Sequence, residues 1–274
     1  MRSWFSNKQV LIGVTIILTF TIMGIFAPVI APYHYSDQDL SNMLDAPSKA
    51  HLFGTDQLGR DVFSRVLYGI RTSLISAFGT ATVAGIVGVI LGLLAGYFGG
   101  WVDRMIQSSI DLAWSFPTLL LAIALVVALR PGQLSIIIAI AAGWWAQYAR
   151  VVRGEVLATK EDDFVEAARA LGSSNFRILF RQILPNILPV TVVLVSTTMG
   201  RAIIIETTLS FLGLGVQPPK PSWGIMLSDG RDVISMAPWV TLFPGIAISL
   251  SVLGFNFLGD GLRDLLDPYI RSEG

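Results

Sequence analysis

The chain has 274 residues, of which 53% are hydrophobic and only 14% are charged, and its mean hydropathy is +0.65. Soluble domains carry about 25% charged residues, so this composition indicates an integral membrane protein. Basic and acidic residues both number 19, which gives no reason to expect a nucleic-acid partner. The chain has no cysteine, which excludes disulfides and thiolate metal sites, and its two histidines are too isolated to suggest a metal site.

About six apolar segments are long enough to cross a bilayer, which takes about 20 residues. The first follows a short charged start, so a cleaved signal peptide is the alternative to an uncleaved span. The run is longer than the apolar part of a typical signal peptide and has no convincing cleavage site, so we predict an uncleaved span. The predicted spans are 10–30, 72–95, 105–129, a fourth that starts at 134–148, 190–210 and 239–258.

Two of these spans have features of their own. Asp111 and Pro117 interrupt the third span. The fourth is predicted to continue as a helix into the cytoplasm through Arg150, Arg153 and Glu155, the last two holding the following loop by ion pairs. Segments that this topology places inside carry more lysine and arginine than those outside, which favours cytoplasmic N and C termini.

Two segments are predicted to lie outside the membrane on the other side. In residues 33–70 the apolar positions after Asp61 share one helical face, with Arg60, Asp61 and Arg65 elsewhere. This pattern predicts an amphipathic helix in the outer interface, or a surface helix packed on the spans. Residues 211–238 are rich in glycine and proline, and Trp239 after them is expected at the headgroup level.

The polar stretch 161–189 reads as two short helices joined by a glycine turn. Asp162 or Asp163 caps the first helix, Ser173 or Ser174 caps the second, and Gly172 is the residue that tolerates positive φ between them. The apolar residues of each helix are predicted to share one face: Phe164, Val165, Ala168 and Leu171 in the first, and Phe176, Leu179, Phe180 and Ile183 in the second. Pro185 and Pro189 are predicted to end the second helix.

The order Glu166-Ala167-Ala168, Gly172 and Leu184-Pro185 resembles the EAA loop of permeases in bacterial ABC importers, although Gln182 stands where the family has isoleucine. The resemblance implies that the loop forms coupling helices seated in a cleft of an ATP-hydrolysing subunit. The alternative, a DNA-binding helix-turn-helix, is disfavoured by the flanking spans. The residues implied to couple to the ATPase are Glu166, Ala167, Ala168, Arg169, Leu171, Gly172, Phe176, Leu184 and Pro185.

The phrases HLFGTDQLGRD, ETTLSFLGLGVQPPKPSWG and FNFLGDGLRDLLDP resemble the dipeptide, oligopeptide and nickel subgroup of these permeases, in particular the second of its two permease subunits. The resemblance implies an all-α type I ABC importer permease fold, with a first span and outer segment at 1–70 and a transmembrane domain at 71–274. It also implies a complex with a sister permease, two ATP-binding subunits and an external substrate-binding protein. Short peptides are the implied cargo, with nickel, glutathione or another small solute as alternatives.

The chain has no GxxxxGK[ST] phosphate loop and no recognisable nucleophile with its base. We therefore expect no enzyme activity and no cofactor on this chain, with ATP and Mg²⁺ on the partner subunits. A secondary transporter is the rival hypothesis, but no matching halves are visible and the EAA loop would have no role. A membrane-anchored interaction protein would explain the loop but not the charges within the spans.

Three of those charges, Asp111, Arg201 and Glu206, lie within or near predicted spans. A charge at the centre of a spanning helix costs roughly 2.5–3.5 kcal/mol on insertion scales, so each should face a partner or a water-filled path. They either line the translocation path or join helices to one another. Arg201 and Glu206 are too far apart around one helix to pair, so Asp111 or a residue of the sister permease is the suggested partner of Arg201.

Overall fold

The computed structural model describes residues 7–266, so the predicted positions of the two chain ends fall outside the described residues. The described residues are almost entirely helical, and the one strand-like pairing among them is a bridge between Thr55 and Asp61. The helices are α1 (Lys8–Ile25), α2 (Ala27–Ile30), α3 (Val62–Phe98), α4 (Gly100–Trp114), α5 (Thr118–Leu129), α6 (Gln133–Thr159), α7 (Asp163–Ala170), α8 (Asn175–Arg177), α9 (Leu184–Phe211), α10 (Trp223–Arg231) and α11 (Trp239–Leu266). A π-helical segment, Ile178–Ile183, joins α8 to α9.

Five helical stretches in the described residues are long and apolar enough to cross a membrane: α1, α3, α6, the continuous stretch Asn175–Phe211, and α11. The third predicted span is instead a pair of helices, α4 and α5, bent by 88° at the break before Thr118. With 12 residues, α5 is about 18 Å long, well short of the ~30 Å hydrocarbon core. The prediction of an interruption at Pro117 is confirmed, and a sixth crossing needs both helices of the pair.

The second span begins ten residues earlier than the sequence indicates, since α3 runs unbroken from Val62 to Phe98. Asp61 starts the helix by accepting a hydrogen bond from the backbone N–H of Ser64 at 2.7 Å. Leu67 and Arg65 are then 1% and 2% exposed, so these first turns lie in the protein interior. The prediction of a separate amphipathic helix in the outer interface is therefore wrong, because the charged side chains expected at its surface find buried partners.

The outer segment after α9 contains a helix that the sequence did not reveal. Ser222 caps α10 by accepting from the backbone N–H of Ile225 at 3.3 Å, and α10 packs against α9 and α11. Trp223, fully buried, donates its indole N–H to the backbone oxygen of Val66 at 3.1 Å. Trp239 donates to the oxygen of Thr55 at the same distance. Two indoles thus join this segment and α11 to the first outer loop and α3.

Helices α3 and α6 make the most extensive contact in the molecule, because glycines let their backbones approach. A Cβ added at Gly92 would lie 2.7 Å from the backbone oxygen of Ala149. A Cβ at Gly85 would meet its nearest neighbour, the ring of Tyr148, at an ordinary 3.6 Å. The interface therefore has no room for a methyl group at Gly92 and has room for one at Gly85.

We expect Gly92→Ala to destabilise the protein by about 1–3 kcal/mol, because the backbone oxygen in its way cannot move aside alone. Gly85→Ala is the matched control and should be neutral or stabilising by up to about 1 kcal/mol, because alanine is the better helix former. Thermal unfolding of the purified variants in detergent measures both. Equal shifts of the two midpoints would contradict this account of the interface.

Candidate functional site

The predicted glycine turn is present in the 161–189 stretch. Gly172 has φ of +76°, and the N–H groups of Gly172 and Ser173 donate to the oxygens of Arg169 and Ala168, both at 3.0 Å. These two hydrogen bonds form the Schellman motif, which ends a helix on a glycine. Asp162 occupies the N-cap position of α7, with Asp163 and Glu166 in its first turn. The sequence thus specifies the C-terminal end of α7 locally, whereas the predicted aspartate cap is not formed, since Asp162 makes no side-chain capping hydrogen bond.

The second half of this stretch differs from the prediction. The hydroxyl of Ser174 accepts from the backbone N–H of Arg177 at 3.4 Å and starts α8, as predicted. The helix then continues through the π-helical segment into α9 and does not end at the prolines. Pro185 follows the π-helical segment closely, in the first turn of α9, and Pro189 lies inside α9. The predicted short second helix is therefore the beginning of the fifth crossing.

The side of this stretch that faces the protein interior packs against two other spans. Its buried side chains form one cluster with the inner ends of α3 and α6: Leu93, Val152, Val156, Val165, Ala168, Ile178, Leu179, Ile183 and Ile187. The hydroxyl of Tyr97, at the end of α3, donates to Asn175 Oδ1 at 2.9 Å. The stretch is thus held to α3 and α6 by apolar packing, in addition to its continuity with α9.

The sequence pattern predicted that the apolar residues of each helix share one face, and the structure contradicts that prediction. The half that includes Val165 and Leu179 is buried, and four large side chains point away from the spans. We call these four the docking surface: Phe164, Leu171, Phe176 and Phe180, exposed by 39%, 86%, 71% and 42% respectively. Two of its rings, Phe176 and Phe180, lie 4.5 Å apart between centroids.

The remaining residues predicted to couple to an ATPase surround this surface. Glu166, Ala167, Arg169 and Pro185 are exposed, Leu184 is half-buried, and Ala168 is buried against the spans. Arg177 and Arg181 are exposed as well, so the apolar side chains lie among cationic ones. Such a mixture of exposed large apolar and arginine side chains is typical of protein interfaces.

The arginines at the inner end of α6 bind residues of α4. The sequence had suggested instead that Arg153 would hold the following loop, 161–189, by an ion pair. Arg153 makes two hydrogen bonds of 2.6 Å to the carboxylate of Asp103. Arg150 pairs with Asp111 at 3.0 Å, with its guanidinium 3.8 Å from the ring centroid of Trp114. The suggested pairing of Asp111 with Arg201 is therefore wrong, because Arg150 on the adjacent helix occupies that carboxylate.

Glu206 and Arg201, both on α9, have opposite surroundings. Glu206 is fully buried, accepting from the hydroxyls of Ser210 at 2.7 Å and of Ser73 on α3 at 3.4 Å. Arg201 is exposed, and within residues 7–266 it forms no ion pair. Glu206 thus joins α9 to α3, and Arg201 faces whatever lies beside the chain.

A group of three buried charges and one partly exposed carboxylate on the outer side was not predicted. We call Asp56, Arg60, Arg65 and Asp229 the outer ion cluster. Arg60 Nε lies 2.7 Å and Arg65 Nε 3.4 Å from Asp56, and Arg60 reaches Asp229 of α10 at 3.3 Å. Asp56 also accepts the backbone N–H groups of Leu58 and Arg60. The cluster joins the first outer loop to α3 and α10, and only the fold brings Asp229 to it.

Burial raises the pKa of Asp229 above the ordinary value of 3.8, against the opposing effect of Arg65 and Arg60. The folded protein therefore holds more protons than the unfolded chain when the pH lies between the two pKa values. Stability should then fall as the pH rises through this acidic window. We expect Asp229→Asn to remove that part of the pH dependence, measured as thermal midpoints between about pH 4 and 6. Identical pH profiles for variant and wild type would contradict this assignment.

Comparison with known proteins identifies the group to which these features belong. Residues 88–272, more than half of the chain, match the family of binding-protein-dependent transport system inner membrane components. The chain belongs to this family. Residues 1–47 also match the N-terminal transmembrane domain of oligopeptide transport permease C. As an inner membrane component with five or six membrane-crossing stretches, the protein is a multi-pass protein of the bacterial plasma membrane.

Several curated members of this group are similar over nearly the whole chain. The dipeptide transport system permease protein DppC of Alkalihalophilus pseudofirmus is 47% identical, covering 97% of this chain and 88% of that protein. The oligopeptide transport system permease protein OppC of Bacillus subtilis is 42% identical, covering 99% and 89%. The glutathione transport system permease protein GsiD of Pectobacterium atrosepticum is 44% identical, covering 93% and 85%.

A solved structure supports the fold independently. A chain of the MetNI methionine ABC transporter, solved in an inward-facing conformation, matches with a TM-score of 0.60 at 18% identity, covering 74% of this chain and 96% of that chain. The fold is therefore that of an ABC importer permease, as the sequence resemblance implied. Within residues 7–266 no group of metal-ligating side chains is present.

Proposed function

We propose that this inner membrane component is a permease subunit of an ABC importer for short peptides. The observation that carries the proposal is 47% identity to a dipeptide permease over 97% of the chain. An oligopeptide and a glutathione permease are almost as similar, and glutathione is itself a short peptide. A sister permease would complete the translocation path, and a substrate-binding protein would deliver cargo from outside. Nickel or another small solute is the alternative cargo.

ATP hydrolysis, with its Mg²⁺, would take place on two partner subunits, and this chain would contribute a site for their attachment. The docking surface suits that role because its large apolar side chains lie next to the Gly172 turn, among exposed arginines. Seating them in a cleft would remove apolar surface from water, at roughly 25 cal/mol per Å². Glu166 would pair with an arginine of the partner or stabilise the loop itself.

The connections of the docking surface provide a route for force. Leu171 and Phe176 belong to a segment whose inner side packs on α3 and α6. The same segment continues without a flexible linker into the fifth crossing, since Asn175–Phe211 is one helical stretch. A partner that moves the surface would therefore tilt α9 and displace the inner ends of α3 and α6. Such tilting is what alternating access requires of a permease.

The other charged residues would have structural roles. Asp111 and Glu206 each contact a neighbouring helix, so we assign them to helix association. We retain a division into residues 1–70 and 71–274 as a proposal about organisation, with α3 passing across its boundary. This chain would bind no cofactor of its own.

Uptake into vesicles tests the proposed function. The chain is reconstituted with its sister permease, ATPase subunits and binding protein, all taken from the neighbouring genes, and radiolabelled trialanine is added. We expect uptake that requires both ATP and the binding protein. Uptake driven by a proton gradient without ATP would favour a secondary transporter instead, and uptake of nickel in place of peptide would correct the cargo.

A further inference from the structure

One face of α9 remains open along the whole fifth crossing. At 100° per residue, the following positions of α9 lie within about 60° of one another, and each is exposed or half-buried: Val190, Thr197, Arg201, Ile204 and Thr208. On the other sides of the helix, Ala202 and Glu206 in its outer half are buried, whereas Leu188 and Val192 in its inner half are exposed. Arg201 lies near the middle of α9 and is the one charged residue of this face.

A cation at this depth needs a countercharge or water. The bilayer penalty for an arginine, roughly 2.5–3.5 kcal/mol, makes direct contact with lipid tails unfavourable. Two acids of the described chain were candidates to pair with Arg201, and both are engaged elsewhere. Asp111 pairs with Arg150, and Glu206 lies on another side of α9. No ion pair within residues 7–266 includes Arg201, so we expect water or a group from outside this chain beside it.

A second polar side chain lies beside Gly200, the residue that precedes Arg201. Asn256 of α11 is exposed, and its Oδ1 would lie 3.2 Å from a Cβ added at Gly200. Its amide can donate two hydrogen bonds, and the guanidinium of Arg201 can donate five. A guanidinium and an amide are both hydrogen-bond donors that suit a carboxylate, which accepts hydrogen bonds at both oxygens.

We propose that Arg201 and Asn256 form a binding point for the carboxylate of the transported solute within the translocation path. This inference rests on the proposed function, and it specifies which chemical group the path recognises. Dipeptides, oligopeptides and glutathione, the cargoes in the names of the three relatives, all carry a free carboxylate. A bare metal cation would be repelled at this point, so the site selects among the cargoes considered above.

The absence of cysteine from the chain allows a direct test. Ile204→Cys introduces a single thiol on the same face, about 4.5 Å along the helix axis from Arg201. The complete transporter, with cysteine-free partners, is placed in nanodiscs and treated with anionic or cationic methanethiosulfonate reagents. We expect the anionic reagent to react faster, and Arg201→Gln to lower the anionic-to-cationic rate ratio roughly tenfold. Arg201→Lys should retain most of the ratio, and Arg231→Gln, an exposed arginine outside the spans, should retain all of it.

Protection by a peptide tests the recognised group. Trialanine should slow modification of the thiol, and trialanine amide, which lacks the carboxylate, should not. Arg201→Gln should abolish the protection, and Asn256→Ala should weaken it. A thiol that does not react would place this face against lipid or the sister permease and overturn the proposal. Equal protection by acid and amide, or a rate ratio that does not depend on Arg201, would also overturn it.

The same preparations separate this inference from the proposed function. If vesicles with the wild-type chain fail to accumulate trialanine with ATP and binding protein, the proposed function fails. If they accumulate it and the thiol experiments still show no dependence on Arg201, only the carboxylate-binding point fails.

Discussion

Replacing both Leu171 and Phe176 by serine is expected to weaken binding of the ATPase subunits at least about a hundredfold and to abolish peptide uptake. Burial of a leucine or phenylalanine side chain contributes roughly 1.5–3 kcal/mol, and a tenfold change in affinity corresponds to about 1.4 kcal/mol. The two residues are 86% and 71% exposed, so their loss should leave the fold of the permease intact. Titration of purified ATPase subunits onto the permease pair in nanodiscs measures the affinity.

Trp101→Ser is the matched control for this experiment. Trp101 is the second residue of α4 and is also 71% exposed, yet it lies outside the docking surface. It should change the affinity for the ATPase subunits by less than about threefold, within the usual effect of a surface substitution. If the double variant binds the ATPase subunits and transports peptide like the wild type, the coupling role of the docking surface is wrong. Equal weakening by Trp101→Ser would point to a general defect of the inner side.

Asp56→Asn is expected to destabilise the permease by about 3–5 kcal/mol, the usual cost of breaking a buried ion pair by removing one partner. Asp56 is the more deeply buried carboxylate of the outer ion cluster, with a side chain only 3% exposed. Without its charge, the buried guanidiniums of Arg60 and Arg65 would retain only the partly exposed Asp229. The measurement is the thermal unfolding midpoint of the purified chain in detergent.

Asp232→Asn provides the comparison for that result. Its carboxylate lies 3.6 Å from Arg231, and both side chains are largely exposed, at 80% and 73%. Exposed pairs contribute about 0–1 kcal/mol, so this change should barely move the midpoint. Similar midpoints for the Asp56 and Asp232 variants would show that the outer ion cluster does not hold the outer loop to α3 and α10.

Some features of the fold depend only on local stretches of sequence. A run of about 20 apolar residues crosses a bilayer whatever surrounds it, which is why most spans were predicted near their observed positions. The end of α7 was predicted for a similar reason, since Gly172 adopts a positive φ that other residues resist. The motif around Glu166 needed no knowledge of contacts either.

Periodicity failed where two different partners compete for one helix. The apolar residues of α7 cover more than one side, so the pattern could not tell Val165, which packs on the spans, from Phe164 in the docking surface. The prolines misled in the same region, because Pro185 lies directly after a π-helical segment and the helical stretch continues through it. Packing on α3 and α6 buries Val165 and Ile183 on either side of the glycine turn.

The sequence by itself determined a multi-span inner membrane permease, and it predicted a place where a partner's ATP energy would enter. Composition, span length and turn residues act within a few neighbouring positions, so they can be read from the chain. Only the tertiary structure decided which charges are buried and which face outwards. Arg65 is buried where it pairs with Asp56 and with Asp229, which is distant in the sequence. Arg201 is exposed, and it pairs with no acid of the described chain. Burial of a charge depends on partners that folding brings together, and no local pattern encodes them.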